Sequence, residues 1–167
     1  QKAEYKDLSE ISKWILNNLY KLNKECIDSY EKFEFHLVYR KLLNFCAVDL
    51  SAVYFDNSKD ILYTEAKNSS KRRAEQTVVY EIFNTLLRLS APILAFTAAQ
   101  IWQCGENNGT IHSEKYYELD SVYNNPEVEE RINKLVNVKK DLMKALEDQR
   151  KKNLIGKSIE AKVEIFV

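Results

Sequence analysis

Apolar residues recur along this chain at intervals of three and four, the spacing of one helix face. Leu8, Ile11, Trp14, Ile15, Leu19 and Leu22 form such a stripe and predict a first helix over residues 7–30. Asp7 stands at its cap, with Glu10 in the capping-box position. Val38, Leu42, Phe45, Cys46, Leu50 and Val53 predict a second helix over residues 33–55. Residues 56–70 read as a polar connector with a short apolar patch at Ile61 to Tyr63. A third helix opens at Ser69 or Ser70 and runs to Ala91. Val78, Ile82, Leu86 and Leu89 make its stripe, and Val79, Phe83 and Leu87 widen it enough to predict a central, buried helix.

Pro92 has no N–H to give to the preceding turn and disfavours helix at Ala91, so the third helix breaks there. Thr97, with Gln100 three residues on, predicts a short helix containing Ile101 and Trp102. Residues 104–109 (CGENNG) form a turn-rich loop, and 110–125 read as irregular. The last helix has a clear start: Asn125 as cap, Pro126 first in the helix, then Glu127. It runs to about residue 152, where Arg150, Lys151 and Lys152 complement the negative helix end. Ile159, Ala161, Val163, Ile165 and Val167 then alternate with charged residues, the period of a half-buried strand.

The fold class that follows is all-α: an antiparallel helix bundle with a lone C-terminal β-strand. No earlier segment offers that strand a partner, and the chain opens on Gln1. It therefore reads as a piece of a longer protein whose sheet lies further along. In the expected organisation, residues 1–153 form the bundle and residues 154–167 start a truncated α+β subdomain.

Composition narrows the function more than it names it. Among 167 residues, 45% are hydrophobic and 30% charged, with only 3 Gly and 2 Pro, which suits an ordered helical domain. Lys+Arg and Asp+Glu stand at 25 each, so any nucleic-acid contact must come from a local basic patch. Cys26, Cys46 and Cys104 are widely spaced, and Cys26 and Cys46 sit in apolar helical contexts, as small buried residues do in a reducing compartment. No paired cysteines stand a few residues apart, so no metal site is expected. No apolar run approaches the ~20 residues of a membrane span, and a cytoplasmic location is the expectation.

Several residues carry possible chemistry. Asp49 falls on an apolar helix face, either as a base with a raised pKa or as a buried acid paired with Lys59, Arg72 or Arg73; the pairing is the better fit, because no nucleophile stands with it. His36 and His112 share no motif and read as surface or packing residues. Lys67, Lys71, Arg72 and Arg73 make the densest basic cluster, at a loop-to-helix junction that favours phosphate, or else a solvated helix start. Arg150 and Lys151, with Lys152 and Lys157, form a second basic run, explained first by charge at a helix end. Trp102 reads as a buried helix-end aromatic ahead of a base-stacking platform. KNSSK at 67–71 superficially matches an ATP-phosphate loop, but nothing before it reads as the parallel strands such a loop follows.

The order of motifs resembles the isoleucyl-tRNA synthetase family of class I aminoacyl-tRNA synthetases over nearly the whole chain. DLSEISKWIL (7–16), YEKFEFHLVYRKLLNFCAVDLSAVYFDNSKDILYT (30–64), SKRRAEQTVVYEIFNTLLRLSAPILAFTAAQIW (70–102) and ALEDQRKKNLIGKSIEAKV (145–163) carry the resemblance. It implies the anticodon-binding helical domain, with the family's first bundle helix absent and the linker before the last helix reduced to YYELDS. It also implies that this piece docks the anticodon stem-loop of tRNA-Ile through Lys71, Arg72, Arg73, Arg150 and Lys151. The piece would carry no catalytic site and no cofactor, and would be monomeric. The catalytic and editing domains would lie in cis, using ATP and Mg²⁺ to activate isoleucine and transfer it to tRNA. The competing reading is a helical protein-interaction or structural module with no RNA role.

Overall fold

The computed structural model describes residues 2–105 and 109–164. The chain divides into two compact units, Gln1–Glu129 and Glu130–Val167. Among the described residues there is no strand.

In the first unit, α1 (Glu10–Glu31) starts two residues later than its apolar stripe predicts. Asp7 lies in a short 3₁₀ turn, Tyr5–Asp7, and Ser9 is the cap, its Oγ accepting from the Ser12 N–H at 3.2 Å. The competition is local: Ser9 is the residue with extended backbone immediately before the first helical turn. Trp14, Ile15, Leu16, Leu19, Leu22 and Cys26 are buried, as are the polar Asn17 and Asn23. Helix α1 is therefore the enclosed helix. It closes with Phe33 in the left-handed region (φ 59°). The Phe33 N–H donates to the Tyr30 carbonyl at 3.0 Å and the Glu34 N–H to the Ser29 carbonyl at 2.8 Å, the paired bonds that usually terminate on Gly or Asn.

Helix α2 (Phe35–Asn44) passes without a break into a π-helical segment, Phe45–Phe55, and then into α3 (Asp56–Thr64). The polar connector expected over 56–70 thus shrinks to residues 65–69. Asp56 and Lys59 pair at 2.9 Å and the Thr64 hydroxyl donates back to the Asp60 carbonyl, so polar residues here coat a helix. Helix α4 (Ser70–Ser90) follows, with Ser69 as its cap. It lies parallel to α1: Ser12 meets Glu75 near both N-terminal ends, and the Tyr30 hydroxyl donates to the Leu89 carbonyl near both C-terminal ends. Val78, Ile82, Leu87 and Leu89 are buried, but Phe83 is 46% exposed, so the widened stripe is only partly covered.

The break at Pro92 occurs as expected, through a turn in which the Ile93 and Leu94 N–H groups donate to the Ser90 carbonyl. Helix α5 (Ala95–Cys104) begins at Ala95 without a side-chain cap, so Thr97 lies inside it. Buried Trp102 packs with Leu87, Ala91, Ala98 and Ile111, and the Arg88 guanidinium lies 5.0 Å over its ring. Residues 110–125 hold two 3₁₀ turns, Ile111–Ser113 and Ser121–Tyr123. The buried asparagines of α1 anchor this segment: Asn23 donates to the Tyr117 carbonyl at 2.9 Å, and Asn17 accepts from the Asn125 N–H at 2.8 Å.

Helix α6 (Pro126–Lys151) starts in the first unit and continues in the second. Asn125 caps it through the Val128 N–H at 3.2 Å. It ends on Asn153 in the left-handed region (φ 54°), with the Asn153 and Leu154 N–H groups returning to the Arg150 and Gln149 carbonyls. The predicted strand is not formed over 158–164, which hold a 3₁₀ turn, Ser158–Glu160, and unpaired chain; 165–167 lie outside the described residues. A strand needs a partner for its backbone groups, and none is present among the described residues.

Candidate nucleic-acid interface

Helix α4 opens against the usual electrostatic rule. Its first turn holds no acid and begins Ser70, Lys71, Arg72, Arg73. Cations at a helix N-terminus face the positive end of the dipole, a cost of about 0.3–1 kcal/mol each when exposed. Both α1, with Glu10, and α6, with Glu127 and Glu129, place acids at that position. Arg72 and Arg73 gain hydrogen bonds here, to Glu65 and to Asn68 and Gln76, whereas Lys71 gains only a loose pairing, and a local rule broken in this way is the kind found at functional sites.

The cluster is held in place. Ser69 Oγ accepts from the Arg72 N–H at 3.1 Å. The Arg72 Nη1 donates to the Glu65 carbonyl at 3.1 Å, bracing the 65–69 link, and its buried Nε has no hydrogen-bond partner among the described residues. Arg73 spans the same link, donating to Asn68 Oδ1 at 3.3 Å and to Gln76 Oε1 at 2.9 Å. Lys71 is 75% exposed and only loosely opposed by Glu65, 4.0 Å away. Lys71, Arg73 and Ser70 share a cavity of about 460 Å³ with Lys2, Ala3 and Asp7. Lys2 also forms an ion pair with the buried Glu81 at 2.5 Å.

Arg150 and Lys151 belong to the second unit. Arg150 is half-buried and faces Glu147 at 3.6 Å, while Lys151 is exposed. Of the predicted basic residues, then, Lys71 and Arg73 line one cavity, and Arg72 sits behind them as a brace. Lys2 was missed because nothing near the N-terminus in sequence links it to α4. Tyr63, 84% exposed on the last turn of α3, was read as part of an apolar patch.

The acids contradict one expectation. Asp49 is half-buried in the π-helical segment; burial raises its pKa, and a hydrogen bond from Asn18 offsets this. Its expected partners bond elsewhere: Lys59 with Asp56, Arg72 with Glu65, Arg73 with Asn68 and Gln76. Among the described residues the fully buried acids are Glu75 and Glu81. Glu75 accepts from the Ser12 hydroxyl at 2.8 Å, from Ser9 at 3.4 Å and from the Tyr54 hydroxyl at 2.5 Å. With no histidine or thiol in that network, it is a structural tie between α1, the π-helical segment and α4. His36 and His112 are both exposed. Among the described residues no group of three or more His, Cys, Asp or Glu is arranged to hold a metal, and no helix is long and apolar enough to cross a membrane.

Comparison with known proteins bears on the whole chain. A family model described as the anticodon-binding domain of tRNA ligase matches residues 12–165. The isoleucine–tRNA ligase of Desulfitobacterium hafniense is 42% identical over 168 residues. The same ligase is 40% identical over 170 residues in Desulforamulus reducens and 41% over 167 residues in Listeria monocytogenes. Each match takes in 99% of this chain but only 18% of the relative's length. An all-helical chain with a basic turn at the start of α4 fits that match, and the chain belongs to the anticodon-binding domain family of tRNA ligases.

Proposed function

We propose that this chain is the portion of an isoleucine–tRNA ligase that holds the anticodon stem-loop of tRNA-Ile. The observation that carries the reading is the inverted charge at the start of α4, on a chain that matches the anticodon-binding family from residue 12 to 165. Lys71 and Arg73 contact phosphate, Arg72 positions them through Glu65, and Arg150 and Lys151 add backbone contacts from the second unit. Tyr63 offers a flat, exposed ring on which an unpaired loop base stacks. Residues 1–153 are the binding bundle, and 154–167 lead into a further subdomain.

The whole ligase, a cytoplasmic monomer in this reading, activates isoleucine with ATP and Mg²⁺ outside this chain. Here the chain contributes position and tRNA identity, and no catalytic group. Zero formal net charge and an exposed apolar groove favour a second reading, a helical interaction module without RNA.

Titration of the chain with tRNA-Ile and with a tRNA of unrelated anticodon, at low and moderate salt, separates the two. The expected result is preferential, salt-weakened binding to tRNA-Ile. Lys71→Ala/Arg73→Ala should lower the salt slope by about 0.7–0.9 per lost phosphate contact. Tyr63→Ala should weaken binding severalfold while leaving that slope unchanged. Equal or absent binding to both tRNAs removes anticodon recognition by this chain.

A further inference from the structure

The cavity beside the first turn of α4 holds charges of both signs that do not touch. Lys2, Lys71 and Arg73 line it together with Asp7, Ala3 and Ser70. Each cation is held by another group: Lys2 by Glu81, Lys71 loosely by Glu65, Arg73 by Asn68 and Gln76. Among the described residues no ion pair joins Asp7 to any of them. Nor does α1 need this acid, since Ser9 caps the helix and Glu10 stands in its first turn. A bare phosphate would be drawn by the cations and repelled by Asp7. Opposite charges held apart across one cavity suit a ligand with anionic oxygens at one end and N–H donors at the other. A nucleotide has both ends. At about 460 Å³ the cavity falls within the range of roughly 300–1,000 Å³ that small-ligand sites occupy.

We propose that this cavity takes one unpaired guanine nucleotide of the bound RNA, its phosphate on Lys71 and Arg73 and its base on Asp7. The inference rests on the chain binding RNA and adds the base that is read beside the basic turn. Donor count selects the base. An ionised aspartate only accepts, through two oxygens that can be met together. The pairing edge of guanine sets the N1 and N2 donors side by side, so one base satisfies both oxygens. Adenine and cytosine place an amino group beside a ring acceptor, and uracil places one N–H between two carbonyls. Each of these brings a lone pair against the carboxylate. On the phosphate side, the first turn of α4 adds backbone N–H groups that have no partner within the helix. Lys2 stands by as a third cation, anchored on Glu81 with its side chain still 56% exposed. The Ala3 N–H donates to Thr77 Oγ1 at 3.0 Å, which fixes this wall of the cavity to α4. Lys71 and Arg73 thus supply affinity for any strand, and Asp7 supplies the choice of base.

Short single-stranded oligouridylates carrying one central guanosine, inosine or adenosine test this by titration against the 167-residue chain. Inosine keeps the N1 donor and lacks only the amino group of guanosine. The guanosine strand should bind at least about fivefold tighter than either of the others, the low end of what one bidentate pair discriminates. Asp7→Asn should remove that preference. Because the Asp7 side chain is exposed, the change should leave the melting temperature and the salt slope as they were. Lys71→Ala/Arg73→Ala should instead weaken all three strands alike and lower the salt slope. Equal binding of the guanosine and inosine strands overturns the proposal, and so does a guanosine preference that survives Asp7→Asn. A chain that binds tRNA-Ile but none of the strands overturns it as well, while the RNA reading stands. Binding of neither the strands nor tRNA-Ile overturns both, so the tRNA titration tells the two failures apart.

Discussion

At the residue scale, the buried carboxylate of Glu75 shows what tertiary context adds to a local signal. In the string KRRAEQT it looks like one more exposed charge on a helix surface. In the fold it is 2% exposed and joins three helical segments through Ser9, Ser12 and Tyr54. Tyr54→Phe keeps the ring and removes the 2.5 Å bond, so it should cost about 1.5–3 kcal/mol in urea unfolding at pH 7, the range for a hydrogen bond to a charged group. The same tyrosine carries a pH signature. Burial first, then its bond to Glu75, hold the phenol well above its ordinary value. The neutral form is thus favoured in the folded chain. Its contribution is complete below about pH 10, where the unfolded phenol titrates, and is lost as pH rises beyond that. Thermal melts of Tyr54→Phe should show a shallower alkaline decline than the parent. Some decline will remain, because burial also raises Tyr30 and pushes Cys26 up to about 11. An unchanged alkaline slope would remove Tyr54 from the account.

At the element scale, helix boundaries set by adjacent residues were legible and those set by distant packing were not. Ser69, Asn125 and Pro126 mark starts in sequence because a cap needs only the residues of its own first turn. Over 33–55 the apolar stripe predicted the helix that forms, and what it missed was the continuation over 56–64, where the charged Asp56, Lys59 and Asp60 read as a connector although they coat a helix. The cap and the basic turn of α4 can be separated experimentally. Ser69→Ala should destabilise the chain by about 1 kcal/mol through the lost bond to the Arg72 N–H. Ser69→Asp keeps a good cap and complements the dipole, so stability should match or exceed the parent's. It also sets a negative charge beside Lys71 and Arg73, so tRNA affinity should fall severalfold. If Ser69→Asp binds tRNA as well as the parent, phosphate does not sit at this turn.

At the scale of the whole molecule, the groove is the feature the sequence concealed. The broad stripe of α4 predicted a helix covered on most sides, and the residues were read correctly as apolar. What covers them is a matter of which helices are adjacent, and helical periodicity carries no information on that. The basic turn was legible for the opposite reason, since its residues are consecutive. A chain of zero formal net charge with an open apolar groove has little repulsion to keep copies apart. At high concentration and neutral pH it should bind a hydrophobic dye such as ANS and associate. Leu43→Glu/Leu94→Glu should suppress both. Because each leucine is 53% exposed, the double change should alter unfolding free energy by no more than about 0.5 kcal/mol per site. Sedimentation and dye fluorescence, set beside urea unfolding, test this together. A stability loss well beyond that size would mean the leucines are packed within this chain, and the groove would then be closed by the residues already present.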